Sequence, residues 1–304
     1  MSFTGEIRDE LARVEPECED CRMAELSALI RIDGRLSAGY RLEMTTETAS
    51  VARRIVALIH DVFALKTETT TRRSDLHRSY NYLITVPVQI GLEDALRQLG
   101  IISDRGLEFG ISPGLLKKPC CRAAYLRGAF LGGGFIADPR GDFHFELTTG
   151  HEELAQGLVG VMADLGITAK ASQRRGSYVV YLKGANPITE FLGLTGAHRG
   201  VLAMENVRVT KSVRNDVNRR INAEMANQAK SVDAAMEQVR SIQRLIDERG
   251  LESLPPALRD LAVLRLAHPG VSLRELGELA DPPLSKSAVY HRIRRIEALA
   301  NDVK

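Results

Sequence analysis

The chain repeats itself. The stretch CRMAELSALIRIDG at 21–34 aligns with CRAAYLRGAFLGGG at 121–134, an offset of 100 residues. Cys, Arg, Ala, Leu and Gly recur at 21/121, 22/122, 24/124, 26/126 and 34/134. Downstream, LEMTT at 42–46 is matched by FELTT at 145–149, and RSYNYLITV at 78–86 by GSYVVYLKG at 176–184. The order is kept and the spacing drifts by a few residues. Self-similarity of this kind marks a duplicated structural unit, and it limits the fold to one that can be built twice.

Each copy reads alike. A short helix ends at Gly34 or Gly134, and a strand follows at about 38–45 or 142–148. ETASVARRIVALIHDVFAL and GHEELAQGLVGVMADLGI carry apolar residues at helical spacing. Paired strands rich in Thr, Tyr and Val come next, 66–73 with 79–86 and 169–174 with 178–183, before a closing helix. Strands with one apolar and one polar face suit a sheet covered by helices on one side, leaving the other free to meet a partner. Ahead of the first copy, Phe3, Ile7, Leu11 and Val14 fall on one side of a short amphipathic helix, and the segment lacks the apolar stretch of an export signal.

The composition adds exclusions. With 44% hydrophobic and 26% charged residues the 304-residue chain is globular. A net charge of +2 means that contact with nucleic acid has to come from local basic patches. No apolar run reaches the roughly 18 residues of a membrane span, so a cytoplasmic location with reduced cysteines is expected.

Leu26 to Gly34 resembles the LAGLIDADG motif of homing endonucleases, and the duplication is similar to the pseudo-symmetric halves of their single-chain members. In that fold the motif helices pack through small residues, a role the resemblance gives to Ser27, Ala28, Gly128 and Ala129. The likeness is closer to the WhiA family of bacterial transcription regulators, which join a degenerate endonuclease-like domain to a C-terminal helix-turn-helix. It rests on AELSALIR, KKPCCRAAYLRGAFLGGG, NRRINAEMANQAKS and SKSAVYHRIRRI, and spans nearly the whole chain.

The resemblance implies an α+β fold: a duplicated αββαββα domain over 1–205 with halves 1–105 and 106–205, a basic linker and long helix over 206–250, and a small all-α helix-turn-helix domain over 251–304. It also implies control of cell division and sporulation genes, with promoter DNA, RNA polymerase and a WhiB-like iron–sulfur protein as partners, a nucleoid-associated location, and no cofactor. A LAGLIDADG nuclease places one acidic residue at the end of each motif helix, and the pair holds divalent metal ions. Asp33 occupies that position in the first copy, but Gly133 occupies it in the second, and Asp138 lies beyond the expected helix end. The expectation is therefore no catalysis, with Asp33 as a remnant. A divalent-metal DNA endonuclease is the competing reading, and a protein-interaction scaffold without tight DNA binding is a third.

Past residue 205 the chain turns basic, and Arg208, Lys211, Arg214, Arg219 and Arg220 become candidate phosphate contacts. Ile221, Met225, Val232, Val239, Ile242 and Leu245 follow a rough helical stripe. Gly250, Pro255 and Pro256 mark a boundary, and three short helices follow. Ser272 and Glu275 have capping-box spacing, and Ser285 is placed to cap the last helix. On that helix Val289, Ile293, Ile296 and Ala300 share one side. Ser287, His291 and Arg294 point the other way, flanked by Tyr290 and Arg295. Lys286 to Arg295 holds four basic residues and no acid. This pattern suits a recognition helix in the major groove, and the candidate DNA contacts are Ser272, Arg274, Ser285, Lys286, Ser287, Tyr290, His291, Arg292, Arg294 and Arg295.

Two features are set aside. Cys18-Glu19-Asp20-Cys21 and Cys120-Cys121 offer four thiolates, but an adjacent pair is not expected to bring both sulfurs to one tetrahedral ion, so no metal site is assigned. The glycines at 132–134 lack dinucleotide-binding spacing.

Overall fold

The computed structural model describes residues 2–37, 40–73 and 80–302, which form two compact units, Met1–Lys211 and Ser212–Lys304.

In the first unit, helix α1 (Phe3–Leu11) precedes two copies of one pattern. The first runs α2 (Glu19–Asp33), β1 (Arg35–Ser37), β2 (Arg41–Thr46), α3 (Ala49–Phe63), β3 (Glu68–Arg73), β4 (Tyr80–Val86) and α4 (Leu92–Gln98). A small hairpin, β5 (Ile102–Ser103) and β6 (Gly106–Leu107), separates it from the second. That copy runs α5 (Pro119–Gly133), β7 (Gly134–Ile136), β8 (His144–Thr149), α6 (Glu152–Asp164), β9 (Lys170–Arg174), β10 (Ser177–Lys183) and α7 (Ala185–Thr195). This is the expected αββαββα unit, built twice. The sequence reading missed β1 and β7 as separate strands, because three residues are too few to show an alternating period. Residues 38–39 and 79 of the expected strands lie outside the described residues.

Both four-stranded sheets are antiparallel with the same order, β1-β2-β4-β3 and β7-β8-β10-β9. On β2 the side chains alternate, Leu42, Met44 and Thr46 inward and Arg41 and Thr45 outward. The helices α3 and α6 cover the inner faces through Val51, Ile55, Leu58 and Ile59, and through Leu154, Leu158, Val161 and Met162. These helices are amphipathic; α2 and α5 are not. Buried residues run from Ala24 to Ile30 and from Ala123 to Leu131 without a polar face, because these two helices pack against each other at the centre of the unit. Their closeness depends on glycine: a Cβ at Gly128 would stand 2.2 Å from the Glu25 carbonyl oxygen and 3.0 Å from the Ala28 Cβ. Ala28 and Ala129 are fully buried, as the small-residue expectation requires, and Ser27 donates a hydrogen bond to the Leu99 carbonyl (2.8 Å).

Helix α8 spans His198–Arg249 and runs from the first unit into the second, beginning several residues before the basic segment that marks it in the sequence. The Glu10 carboxylate caps its start, accepting from the Arg199 and Gly200 amides at 2.7 and 3.1 Å. In the second unit, α9 (Pro256–Ala267), α10 (Leu273–Glu278) and α11 (Lys286–Asn301) enclose a core with the end of α8. Ile242 and Leu245 are buried there, whereas Ile221, Met225 and Val232 of the same stripe are exposed.

Candidate nucleic-acid interface

Helix α11 is set by its buried stripe. Val289, Ile293, Ile296 and Ala300 pack on Leu258, Leu261 and Leu276 in the second core. The Ser285 hydroxyl caps the helix, accepting from the Ala288 amide at 3.2 Å. Ser272 caps α10 in a full capping box: its hydroxyl accepts from the Glu275 amide, and the Glu275 carboxylate accepts from the Ser272 amide at 2.8 Å. The Ser272 amide, and after it the Ser272 hydroxyl, hold the Glu275 carboxyl below the usual range. The turn between α10 and α11 is tight enough that a Cβ on Gly277 would stand 2.3 Å from the Leu284 carbonyl oxygen. Arg265, fully buried on α9, donates to the Val271 carbonyl at 2.6 Å and fixes the entry to α10.

This scaffold exposes Lys286, Ser287, Tyr290, His291, Arg294 and Arg295 on the face opposite the core. Arg274 is exposed on α10 and pairs with Glu278 at 3.1 Å. Arg292 departs from the group. It is half-buried and reaches the Ala257 carbonyl on α9 at 3.4 Å, so its reach toward a ligand is shortened by an internal contact. Arg294 lies 3.7 Å from Glu297, a surface pair that costs little to break.

The basic residues of α8 divide similarly. Lys211 belongs to the first unit, where its ammonium bonds the Gly141 carbonyl and sits 4.7 Å over the Phe143 ring. Arg208 pairs with Glu205 at 3.5 Å, and Arg219 with Asp216. Arg214 and Arg220 are exposed with no ion pair among the described residues.

The LAGLIDADG-like centre is closed. Asp33, at the end of α2, accepts the Thr45 amide at 2.6 Å, and burial pushes its carboxyl up to about 6 against that hydrogen bond. At the equivalent end of α5, a Cβ on Gly133 would stand 2.6 Å from the Ile32 methyl. The second copy thus lacks a carboxylate and also the space for one. Asp138 is bound by Arg140 at 2.6 Å, which lowers its carboxyl to about 2.

Two groupings add to the sequence reading, one not visible in it and one set aside by it. The fully buried Glu25 carboxylate receives both guanidiniums of Arg54 and Arg127: Arg54 at 2.8 and 2.9 Å, Arg127 at 3.0 and 2.8 Å. Arg54 comes from the first copy and Arg127 from the second, so one acid joins the halves. The signal was charged residues inside apolar helices, although their partners lie 29 and 102 positions away. The cysteines are the second. Contrary to the argument from the adjacent pair, all four sulfurs lie within 4.8 Å of one another. Burial raises the Cys21 thiol, and raises Cys121 to about 11, while the Cys21 thiol hydrogen bond lowers Cys18.

Comparison with known proteins agrees with this architecture. The WhiA N-terminal LAGLIDADG-like domain matches residues 19–102, the WhiA LAGLIDADG-like domain residues 122–214, and the WhiA C-terminal HTH domain residues 217–300. The chain belongs to the WhiA family. Relatives named "Probable cell division protein WhiA" from Heliobacterium modesticaldum and Desulforamulus reducens are 46% and 45% identical. The matches cover 99% and 100% of this chain and 96% and 97% of theirs. The crystal structure of full-length DUF199/WhiA from Thermatoga maritima aligns over 99% of both chains with a TM-score of 0.63 at 26% identity. The N-terminal LAGLIDADG domain of DUF199/WhiA aligns over 64% of this chain and 90% of its own, with a TM-score of 0.53 at 22% identity. The match to the family's helix-turn-helix begins inside α8, so within the family that domain includes the α8 turns that carry Ile242 and Leu245. None of the helices among the described residues is long and apolar enough to cross a membrane.

Proposed function

We propose that this chain is a sequence-specific, double-stranded DNA-binding transcription regulator that reads DNA through α11, with its duplicated LAGLIDADG-like unit as a scaffold that does not cut. The observation that carries this reading is the exposed set Lys286, Ser287, Tyr290, His291, Arg294 and Arg295, held opposite the buried stripe of α11. In a helix-turn-helix the first turns of the second helix face base edges, where Ser, His and Arg can make directional hydrogen bonds. Ser272, Arg274 and Ser285, at the starts of the two helices, are candidate backbone contacts, as are Arg214 and Arg220 on α8. The family resemblance extends the reading to promoters of cell division and sporulation genes. RNA polymerase and a WhiB-like iron–sulfur protein are the proposed protein partners, in the cytoplasm at the nucleoid.

The test selects DNA from a random pool with the full-length protein in magnesium and scores each lane for shift and for cleavage. A shift without cleavage is expected. Binding should weaken in Lys286→Ala, His291→Ala and Arg295→Ala, with sequence preference relaxed in the last two. With about five phosphates neutralised, log affinity falls against log salt with a slope near −4 to −5. Cleavage, or binding indifferent to all three substitutions, refutes the reading.

A further inference from the structure

Four thiols from opposite halves of the repeat meet at one point. Cys18 is the N-cap of α2 and Cys21 lies one turn on, while Cys120 and Cys121 occupy the first turn of α5. The Sγ atoms of Cys18 stand 3.3 Å from Cys21 and 3.8 Å from both Cys120 and Cys121, and Cys21 stands 3.9 Å from Cys121. Four sulfurs bound tetrahedrally at about 2.3 Å from a zinc ion stand about 3.8 Å from each other. The free side chains already lie close to that figure.

We propose that Cys18, Cys21, Cys120 and Cys121 bind one zinc ion as a closed tetrathiolate site that clasps the two halves of the repeat. The donor set is all sulfur, which favours zinc over magnesium or calcium. Four protein ligands leave no open position, so the role is structural. A cluster of several irons is too wide for these thiols, because it places a separate iron beneath different sulfurs. A Cys120–Cys121 disulfide does not fit the helix either. Neighbouring Cα atoms are about 3.8 Å apart, below the disulfide range.

The surroundings suit the charge of the complex. Binding displaces four thiol protons and leaves two net negative charges on the ion and its ligands. Neither helix start is capped by a side chain, so two positive dipole ends converge on the sulfurs. Lys118, the N-cap of α5, is held beside the cluster by Asp20 at 2.9 Å. Cys21 and Cys121 are buried, whereas Cys18 and Cys120 are half-exposed, which leaves an entry path on the outer side.

The test is made on the full-length protein, reduced, stripped with a chelator and titrated with cobalt(II) or zinc. The expected result is intense thiolate-to-cobalt absorption that saturates at one equivalent and is bleached by one equivalent of zinc. Zinc, but not magnesium, should raise the midpoint of thermal unfolding. Cys18→Ser, at a half-exposed ligand, should weaken zinc binding by more than about a hundredfold, beyond the usual loss of roughly 10–100-fold from an outer-shell change. Cobalt titration of the wild-type chain decides the question even if that variant folds poorly. No thiolate–cobalt absorption with all four thiols titratable overturns the proposal. So does protein isolated without reductant that carries disulfides and no metal, or iron in place of zinc.

Discussion

Replacing Glu25 with Gln tests the central joint of the repeat. The carboxylate is fully buried and takes four N–H donors at 2.8–3.0 Å from two guanidiniums, whose side chains are 6% and 11% exposed. Gln keeps the volume and removes the charge, and its amide turns N–H groups toward arginine N–H groups. Two buried cations then lose their counter-charge. Removing one partner of a buried pair costs about 3–5 kcal/mol, because the remaining charge is uncompensated. At about 4 kcal/mol, a unit of this size should lose roughly 8–16 °C in unfolding midpoint. The chain has no Trp, and six of its seven tyrosines lie in the first unit, so tyrosine fluorescence in a urea or thermal scan reports that unit. A loss under about 1 kcal/mol would refute the reasoning, since it would mean that the arginines are solvated or balanced elsewhere. A combined Glu25→Leu, Arg54→Met, Arg127→Met chain should recover most of the loss, because no buried charge remains.

Gly133→Asp should not produce DNA nicking in magnesium, and should cost about 1–3 kcal/mol by forcing a Cβ against Ile32; a plasmid assay and a denaturation curve check both. Asp33 has a folded-state carboxyl pushed up to about 6 from an ordinary 3.8, so its contribution to stability is present below about pH 4 and is lost as pH rises through 6. Urea midpoints across that window should fall for the wild type and flatten for Asp33→Asn. Gly277→Ala should abolish the DNA gel shift while leaving the first unit's unfolding unchanged, because its Cβ meets the Leu284 carbonyl at 2.3 Å and opens the turn before α11. Ser285→Ala should cost about 1 kcal/mol through loss of the N-cap, read as a lower midpoint by circular dichroism.

Much of this architecture is written in local spacing. The offset of 100 residues gives the duplication, and the period-3.6 stripes of α3, α6 and α11 give the covered sheet and the exposed basic face of α11. The capping residues Ser272 and Ser285 are readable because a cap acts within one turn. What was not legible depends on distance along the chain or on neighbours of another element. Glu25 sits in an apolar stretch and makes sense only once Arg127 arrives from 102 residues away. Along the chain the adjacent Cys120-Cys121 pair argues against one tetrahedral ion, but the convergence of the four thiols depends on how two helix starts meet. The inward contact of Arg292 follows from the packing of α11 on α9, which charge counting along the helix does not register. β1 and β7 were too short to announce themselves.

The contact of Ile32 with the backbone at Gly133 also bears on descent. Restoring a carboxylate at position 133 by one codon change meets a steric penalty before it brings any benefit. Trimming Ile32 first removes packing between α2 and α5 and again gives nothing in return. Each path back to a metal pair therefore crosses a less stable intermediate. The close approach of the two helices works as a one-way latch: a lineage with this packing keeps the LAGLIDADG shape, and a second carboxylate at this helix end comes only at a cost in stability.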